Sequence, residues 1–338
     1  MPFSVMTPTL TEQEQFLWRA FLRKDIPEIH DLFERANEGD DNDYAETIQD
    51  LERQYDDPWS DPRTDARTIR NLAGKLVGFL RVYVNPKPQH ENVAFLDKEI
   101  APEARGQGLE EQALDWMEER AQERLAGAGK TESASQLPRL IRAGFQESAS
   151  DQIELYKRRG YRHVRSFYKM ERDLDQPIDA NPLPEGLVFR SYSEELDEKM
   201  LAAFNEAFGD HWGHQDVTED EWHQFIMDAS DVRRDLTLVV MDGDEVAAFS
   251  INRVKKAENA RLGIQRGWIG TLGTRRAWRK RGLASALLSE SMRRFKAEGL
   301  DWAGLGVDAE NWTGALQLYE RNGFKPFKTR IVLEKRIG

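Results

Sequence analysis

The sequence predicts an α/β (mixed α+β) fold in two tandem domains, each a mixed central sheet flanked by helices. Three observations lead there. The 338 residues exceed the roughly 100–200 residues of one ordinary domain. Strand-like and helix-like segments alternate along the chain, which points to strands joined through helices. The same order of signals occurs twice, and self-similarity of that kind decides the reading of a fold.

Taken in order, each copy reads helix, helix, strand hairpin, strand, glycine turn, long helix, strand, helix, strand. Both hairpins follow a turn glycine: GKLVGFLRVYV (74–84) and GDEVAAFSINRV (243–254). The glycine turns RGQGLE (105–110) and RKRGLA (279–284) open the amphipathic runs LEEQALDWMEERAQERL (109–125) and LASALLSESMRRFKAEG (283–299). LYKRRGY (155–161) and LYERNGF (318–324) come next, then the apolar segments RSFYKMERDL (165–174) and KTRIVLEKRI (328–337). In the second copy the pattern predicts helices at 194–208, 218–229 and 312–322 besides the one from 283. Strands are expected at 236–242, 245–254, 266–274, 302–307 and 327–335. Gly108 and Tyr156 are 48 positions apart, Gly282 and Tyr319 only 37, so the first copy carries 11 extra residues, expected within 126–139. The Pro-rich stretch DQPIDANPLPEG reads as a linker, giving domains 1–176 and 185–338.

Composition narrows the function. No Cys is present, which excludes disulfides, thiolate metal sites and a cysteine nucleophile. The net charge of −12 opposes a phosphate backbone and argues against nucleic-acid binding, while favouring a cationic partner. No stretch reaches the ~18 apolar residues of a membrane span, and MPFSVMTPTLTEQEQF lacks the basic and apolar regions of a leader. A cytoplasmic protein with no membrane partner is expected. A P-loop kinase is disfavoured because GxxxxGK[ST] is absent.

The turn at 279–284 has a physical use. Free N–H groups at a helix start, its dipole, and Arg279, Lys280 and Arg281 make a cradle for phosphate. Gly282 permits close backbone approach, and Leu283 and Ala284 begin the helix with a slim first turn. With WIGTLGTRRAWRKRGLASALL and GLGVDAENWTGALQLYERNGF around it, the segment resembles the GNAT superfamily of acyl-CoA-dependent N-acyltransferases. Two-domain members such as mycothiol synthase share the layout. The resemblance implies acetyl-CoA as co-substrate, with its pyrophosphate on Arg279, Gly282 and Ala284. It places pantetheine along Leu272, Gly273 and Thr274, and further family positions at Asn311 and Tyr319. The first copy departs from it: Glu110 stands where the pattern wants Gly or Ala, and Ser148 occupies the position of Asn311. The first domain is therefore expected to be the degenerate, structural half and the second the catalytic one.

Amine acylation by a thioester needs a neutral amine, a polarised carbonyl and a proton for the departing thiolate. Tyr319 is the expected acid, and N–H groups near Gly273 and Thr274 the expected carbonyl donors. Asp308, His211 and His214 are the candidates for the base. The acceptor is expected against 205–225, where Glu206, Asp210, Asp216, Glu219, Asp220 and Glu221 would attract a cationic amine and Phe208, Trp212 and Trp222 form a wall. Thr218 and Glu221 also read as a capping box that turns Trp222 and Phe225 to the core. The HWGH spacing lacks a third ligand, so no metal is expected. The resulting expectation is N-acetyl transfer to the primary amine of a small molecule, the alternative being a non-catalytic acyl-CoA sensor or scaffold.

Overall fold

A computed structural model describes residues 15–40, 46–57, 59–128, 136–310 and 314–337. It contains two compact units, one made of Met1–Gly144, Ala149–Arg162 and Leu333–Gly338, the other of Phe145–Ser148 and His163–Val332.

In chain order the first unit runs through β1 (Phe16–Ala20), α1 (Ile26–Asp40), α2 (Ile48–Tyr55), β2 (Ala66–Asn71), β3 (Leu76–Val84), β4 (Asn92–Ile100), α3 (Leu109–Ala128), β5 (Arg139–Gln146) and α4 (Ser150–Arg158). Strands β1 to β4 are antiparallel neighbours and β4 pairs in parallel with β5. A Thr47–Asp50 capping box starts α2. The buried carboxylate of Asp65 is held by Arg120 and Arg124, which tie α3 to the loop before β2.

The second unit holds β6 (Arg162–Asp173), β7 (Leu187–Ser191), α5 (Asp197–Phe208), the short α6 (Glu219–Glu221) running into a π-helical turn at Trp222–Met227, β8 (Leu238–Asp242), β9 (Glu245–Arg253), α7 (Lys256–Leu262), β10 (Arg266–Thr274), α8 (Leu283–Ala297), β11 (Trp302–Asp308), α9 (Ala315–Arg321) and β12 (Lys325–Ile337). Its strand order is β12-β6-β11-β10-β9-β8-β7, with β10 parallel to β11. Leu288, Met292 and Phe295 of α8 pack on Ile269, Leu305 and Val307. Met200 and Ala203 of α5 pack with Trp222 and Phe249 on the other clusters of the sheet. Gly267 allows the closest helix approach, since a β-carbon there would stand 2.7 Å from the Phe295 ring.

Most predicted elements of the second copy are present, and β10 has the expected bounds. Pattern reading overlooked β1, β7 and α7. The first two are only five residues long, FLWRA and LVFRS, which is too few positions for alternation to stand out from the flanking sequence. The repeat and the compact units also divide the chain differently. The segment 165–174, read with the first copy, lies in β6 and pairs antiparallel with β11, from Trp302↔Asp173 to Asp308↔Phe167. The end of β12, read with the second copy, belongs to the first unit, where Glu334 binds Arg142 of β5 at 2.7 Å. Either terminal strand satisfies the same antiparallel edge, so local pattern cannot choose between them. Residues 129–135 of the expected insertion and residues 1–14 lie outside the described residues. Among the described residues no helix is long and apolar enough to cross a membrane.

Candidate functional site

In the second unit, β10 and β11 are paired only from Arg266↔Trp302 to Ile269↔Leu305. Beyond that point the register of β10 on β9 shifts between Ile269 and Thr271. Such a bulge bends a strand away from its neighbour. The edge of β10 from Gly270 to Thr274 is thereby left open toward β11, which is where a ligand can pair with the backbone. Gly273 is required here, because a β-carbon would lie 2.4 Å from Phe249 Cζ. The side chain of Leu272 packs against the core, so this residue offers its backbone.

A single 3-10 turn at Arg276–Trp278 then leads into the loop before α8. Lys280 has φ +62°, the one positive φ of a non-glycine among the described residues, and Gly282 has φ +83°. Closely spaced positive-φ residues of this kind can present backbone N–H groups to an anion, and here the turn stands at the positive end of the α8 dipole. Arg279 is not free to grip an anion with its whole guanidinium: Nε donates to Thr274 O at 3.2 Å and Nη2 to Ala207 O at 3.0 Å. It braces the loop. Lys280 and Arg281 are exposed or half-exposed at its rim, and Leu283 is buried beneath it.

Tyr319, on α9, is nearly buried beside Phe324, and burial pushes its hydroxyl up to about 12. It therefore stays protonated at neutral pH, as an acid must. Asn311 lies outside the described residues.

The loop after α5 differs from expectation in its electrostatics. Glu206 binds Arg275 Nε at 2.6 Å and the Arg276 N–H at 3.0 Å. Asp210 binds Arg276 at 2.7 Å and lies 3.6 Å from Arg279. Arginine bonding holds the Asp210 carboxyl below its ordinary range. These two acids are thus neutralised partners of the arginines before α8 rather than an open field for a cation. The Thr218–Glu221 capping box is formed, with Glu221 N bonded to Thr218 Oγ1 at 3.4 Å, and Trp222 is fully buried with its indole N–H on Asp197 at 3.0 Å. Phe225 departs from expectation and is 40% exposed, because the π-helical turn widens the spacing that would have turned it inward.

Of the three base candidates, His211 is half-buried against Phe208, with ring centroids 4.6 Å apart, and burial lowers its pKa, reinforced by His214 and Arg279. It is neutral at physiological pH. His214 Nε2 stands 3.7 Å from Asp216. Asp308, at the end of β11, is committed: Oδ2 accepts from Arg165 Nε at 3.0 Å and Oδ1 from Glu310 N at 3.0 Å. Sequence reasoning missed Arg165 and Phe167, because β6 was assigned to the other copy. Arg165 also lies 5.5 Å from the Trp212 ring and Phe167 6.4 Å from it. Among the described residues no group of acids and histidines could hold a metal.

Comparison with known proteins agrees with this geometry. The model of the acetyltransferase (GNAT) family matches residues 26–161 and again 198–324. The mycothiol acetyltransferase of Salinispora arenicola is 30% identical over 183 residues, covering 51% of this chain and 55% of the relative. That of Actinosynnema mirum is 29% identical over 222 residues, covering 61% and 67%. The chain spans about half the length of most of these curated relatives. Among solved structures, a GCN5-related N-acetyltransferase from Sphaerobacter thermophilus aligns with TM-score 0.71 and 26% identity over 95% of both chains. A tandem GNAT protein from the clavulanic acid biosynthesis pathway aligns with TM-score 0.67 and 13% identity over 96% of this chain and 99% of that one. The chain belongs to the acetyltransferase (GNAT) family, whose co-substrate is acetyl-CoA, and it matches that family twice in tandem.

Proposed function

We propose that the chain is an N-acetyltransferase that moves the acetyl group of acetyl-CoA to a primary amine of a small molecule, with the reaction in the second unit. The observation that carries this reading is the open edge of β10, which runs from its last pair with β11, Ile269↔Leu305, to the Lys280–Gly282 turn. An extended thiol arm fits that edge and an anionic group fits the turn.

In the reaction the amine nitrogen attacks the thioester carbonyl carbon, the C–S bond breaks, and the sulfur leaves with the bonding pair. N–H groups of β10 near Gly273 and Thr274 hold the carbonyl oxygen as charge develops on it. Tyr319 gives its proton to the sulfur, and its raised pKa keeps that proton available. Neutral His211 is the favoured acceptor of the amine proton, ahead of His214. Asp308 acts through Arg165, fixing the guanidinium beside Trp212.

The acceptor is a small amine bounded by Trp212 and Phe167. A mycothiol-type acceptor is the narrower reading, supported by the relatives' names, and is one compound in the panel. Thiol release from acetyl-CoA, followed across amino acids, amino sugars, polyamines and such conjugates, tests the proposal. Acetylation of any of them at enzymatic rates supports it. Tight acetyl-CoA binding with no amine-dependent thiol release would make the chain a sensor instead.

A further inference from the structure

The two copies of the glycine turn lie 174 positions apart and share their main bond and backbone shape. Arg105 Nε donates to Ile100 O at 2.9 Å as Arg279 does to Thr274 O. Gly106 and Gly108 have φ +69° and +78°, matching Lys280 and Gly282. The strands open alike too: β4 and β5 are paired from Asn92↔Arg139 to Leu96↔Ala143 and no further. The first unit therefore has the backbone of a second acyl-CoA groove. Its contents differ at two places.

The first is the concavity of the turn. Glu110, where the second copy has Ala284, folds back so that Oε1 accepts the Gly106 N–H at 2.9 Å, while its Oε2 is buried with no hydrogen-bond partner. In the second copy the side chain at that position, Ala284, is a methyl that can accept no hydrogen bond. The second is the opened edge. Lys98 stands at the position of Leu272, counted from the strand ends, with Nζ 5.5 Å from the Tyr156 ring. Tyr156 occupies the place of Tyr319 in the shared LYxxxG string and is buried at 1% exposure. Burial brings the Lys98 ammonium down to about 8, opposed by the nearby Glu110 carboxylate.

We infer that the first unit closes its own acyl-CoA groove with its own side chains, Glu110 in the anion concavity and Lys98 in the strand opening, so that each chain takes one CoA molecule and not two. The inference rests on the acetyl-CoA reading of the second unit. A carboxylate already seated on the Gly106 N–H excludes a pyrophosphate twice over, by occupying that donor and by like charge. Lys98 pairs electrostatically with Glu110 and fills the volume that a thiol arm would need. Each group stabilises the other in place, so both must be removed to open the groove fully.

Calorimetric titration of the full chain with acetyl-CoA, with melting temperature as a check on folding, tests this. The wild type should show one site and the G282E/A284E variant none. Adding E110A and K98L to that variant should restore one site, with affinity at least tenfold above its parent. E110A alone in the same background should restore weaker binding, and it reads the proposal if the Lys98 change unfolds the unit. E110Q should restore less binding than E110A, because an amide oxygen keeps the bond to Gly106 although the charge is gone. Two sites in the wild type, one surviving in G282E/A284E, or none in a folded E110A or E110A/K98L variant would overturn the inference. No site in the wild type would instead overturn the acetyl-CoA reading beneath it.

Discussion

Arg165 and Asp308 are bonded through Nε and Oδ2 at 3.0 Å although 143 positions separate them in sequence. The pair joins β6 to the end of β11, next to the opened edge of β10, and sets Arg165 against Trp212. It is the point at which a strand read with the first copy enters the candidate acceptor site of the second unit. Replacing Arg165 by Met should raise KM for the amine several-fold while leaving the acetyl-CoA dissociation constant within about twofold. Steady-state kinetics with the best amine of the panel checks it, and an unchanged KM would remove the residue from the acceptor side.

Tyr319→Phe isolates the proton donor. The ring and its packing on Phe324 are retained, so acetyl-CoA affinity should hold while kcat falls by about 10²-fold or more, the usual contribution of a positioned acid. Equal turnover in the two proteins would assign the proton to another group.

The pH dependence follows from two directions of shift. His211 must be neutral to accept a proton, and burial lowers its pKa below the ordinary 6.5, so kcat/KM expressed per neutral amine should fall only as pH drops below that value. Tyr319 must be protonated, and with its pKa near 12 no loss from its ionisation should be seen at pH 8–10. The acid limb should vanish in H211N along with most of the rate. A limb that survives that substitution would point to His214 or to water.

Gly282→Val tests the turn. A β-branched residue is strained at φ +83°, by ~1–3 kcal/mol, although nothing lies within 4 Å of a β-carbon there. The loss should appear in acetyl-CoA affinity more than in melting temperature, because the turn relaxes rather than the core. Titration calorimetry beside a thermal melt separates the two.

Stability of the second unit should hinge on a buried ion pair beneath the site. Arg266 and Glu258 are 2.9 Å apart and almost wholly buried, and Glu258 also accepts from the Trp268 indole at 3.3 Å. Glu258→Ala removes this partner while Arg266 keeps Glu171 at 2.9 Å, and should cost about 3 kcal/mol. Urea unfolding measures it, and a change under 1 kcal/mol would show that Glu171 suffices.

Much of this was legible in the residues themselves. Glycine, a helix-start string and a Tyr-bearing helix recur at fixed spacing, and such local chemistry declares itself because positive φ, capping and amphipathic period are properties of neighbouring residues. The Thr218–Glu221 box was readable for the same reason. The acidic loop was readable in composition but not in meaning, since its partners Arg275, Arg276 and Arg279 lie 66 to 70 positions away.

By itself, then, the sequence determined the tandem α/β plan, the glycine turn that opens α8 and the Tyr-bearing helix that follows β11. Tertiary structure alone decided which strand each sheet would take last, that Arg165 and Phe167 face Asp308 and Trp212, and that Glu110 turns back onto Gly106 while Lys98 lies over Tyr156. The reason is range. Backbone preferences act over a few residues, whereas an antiparallel edge accepts any strand of matching register and a buried charge finds its partner only once the chain has closed around it.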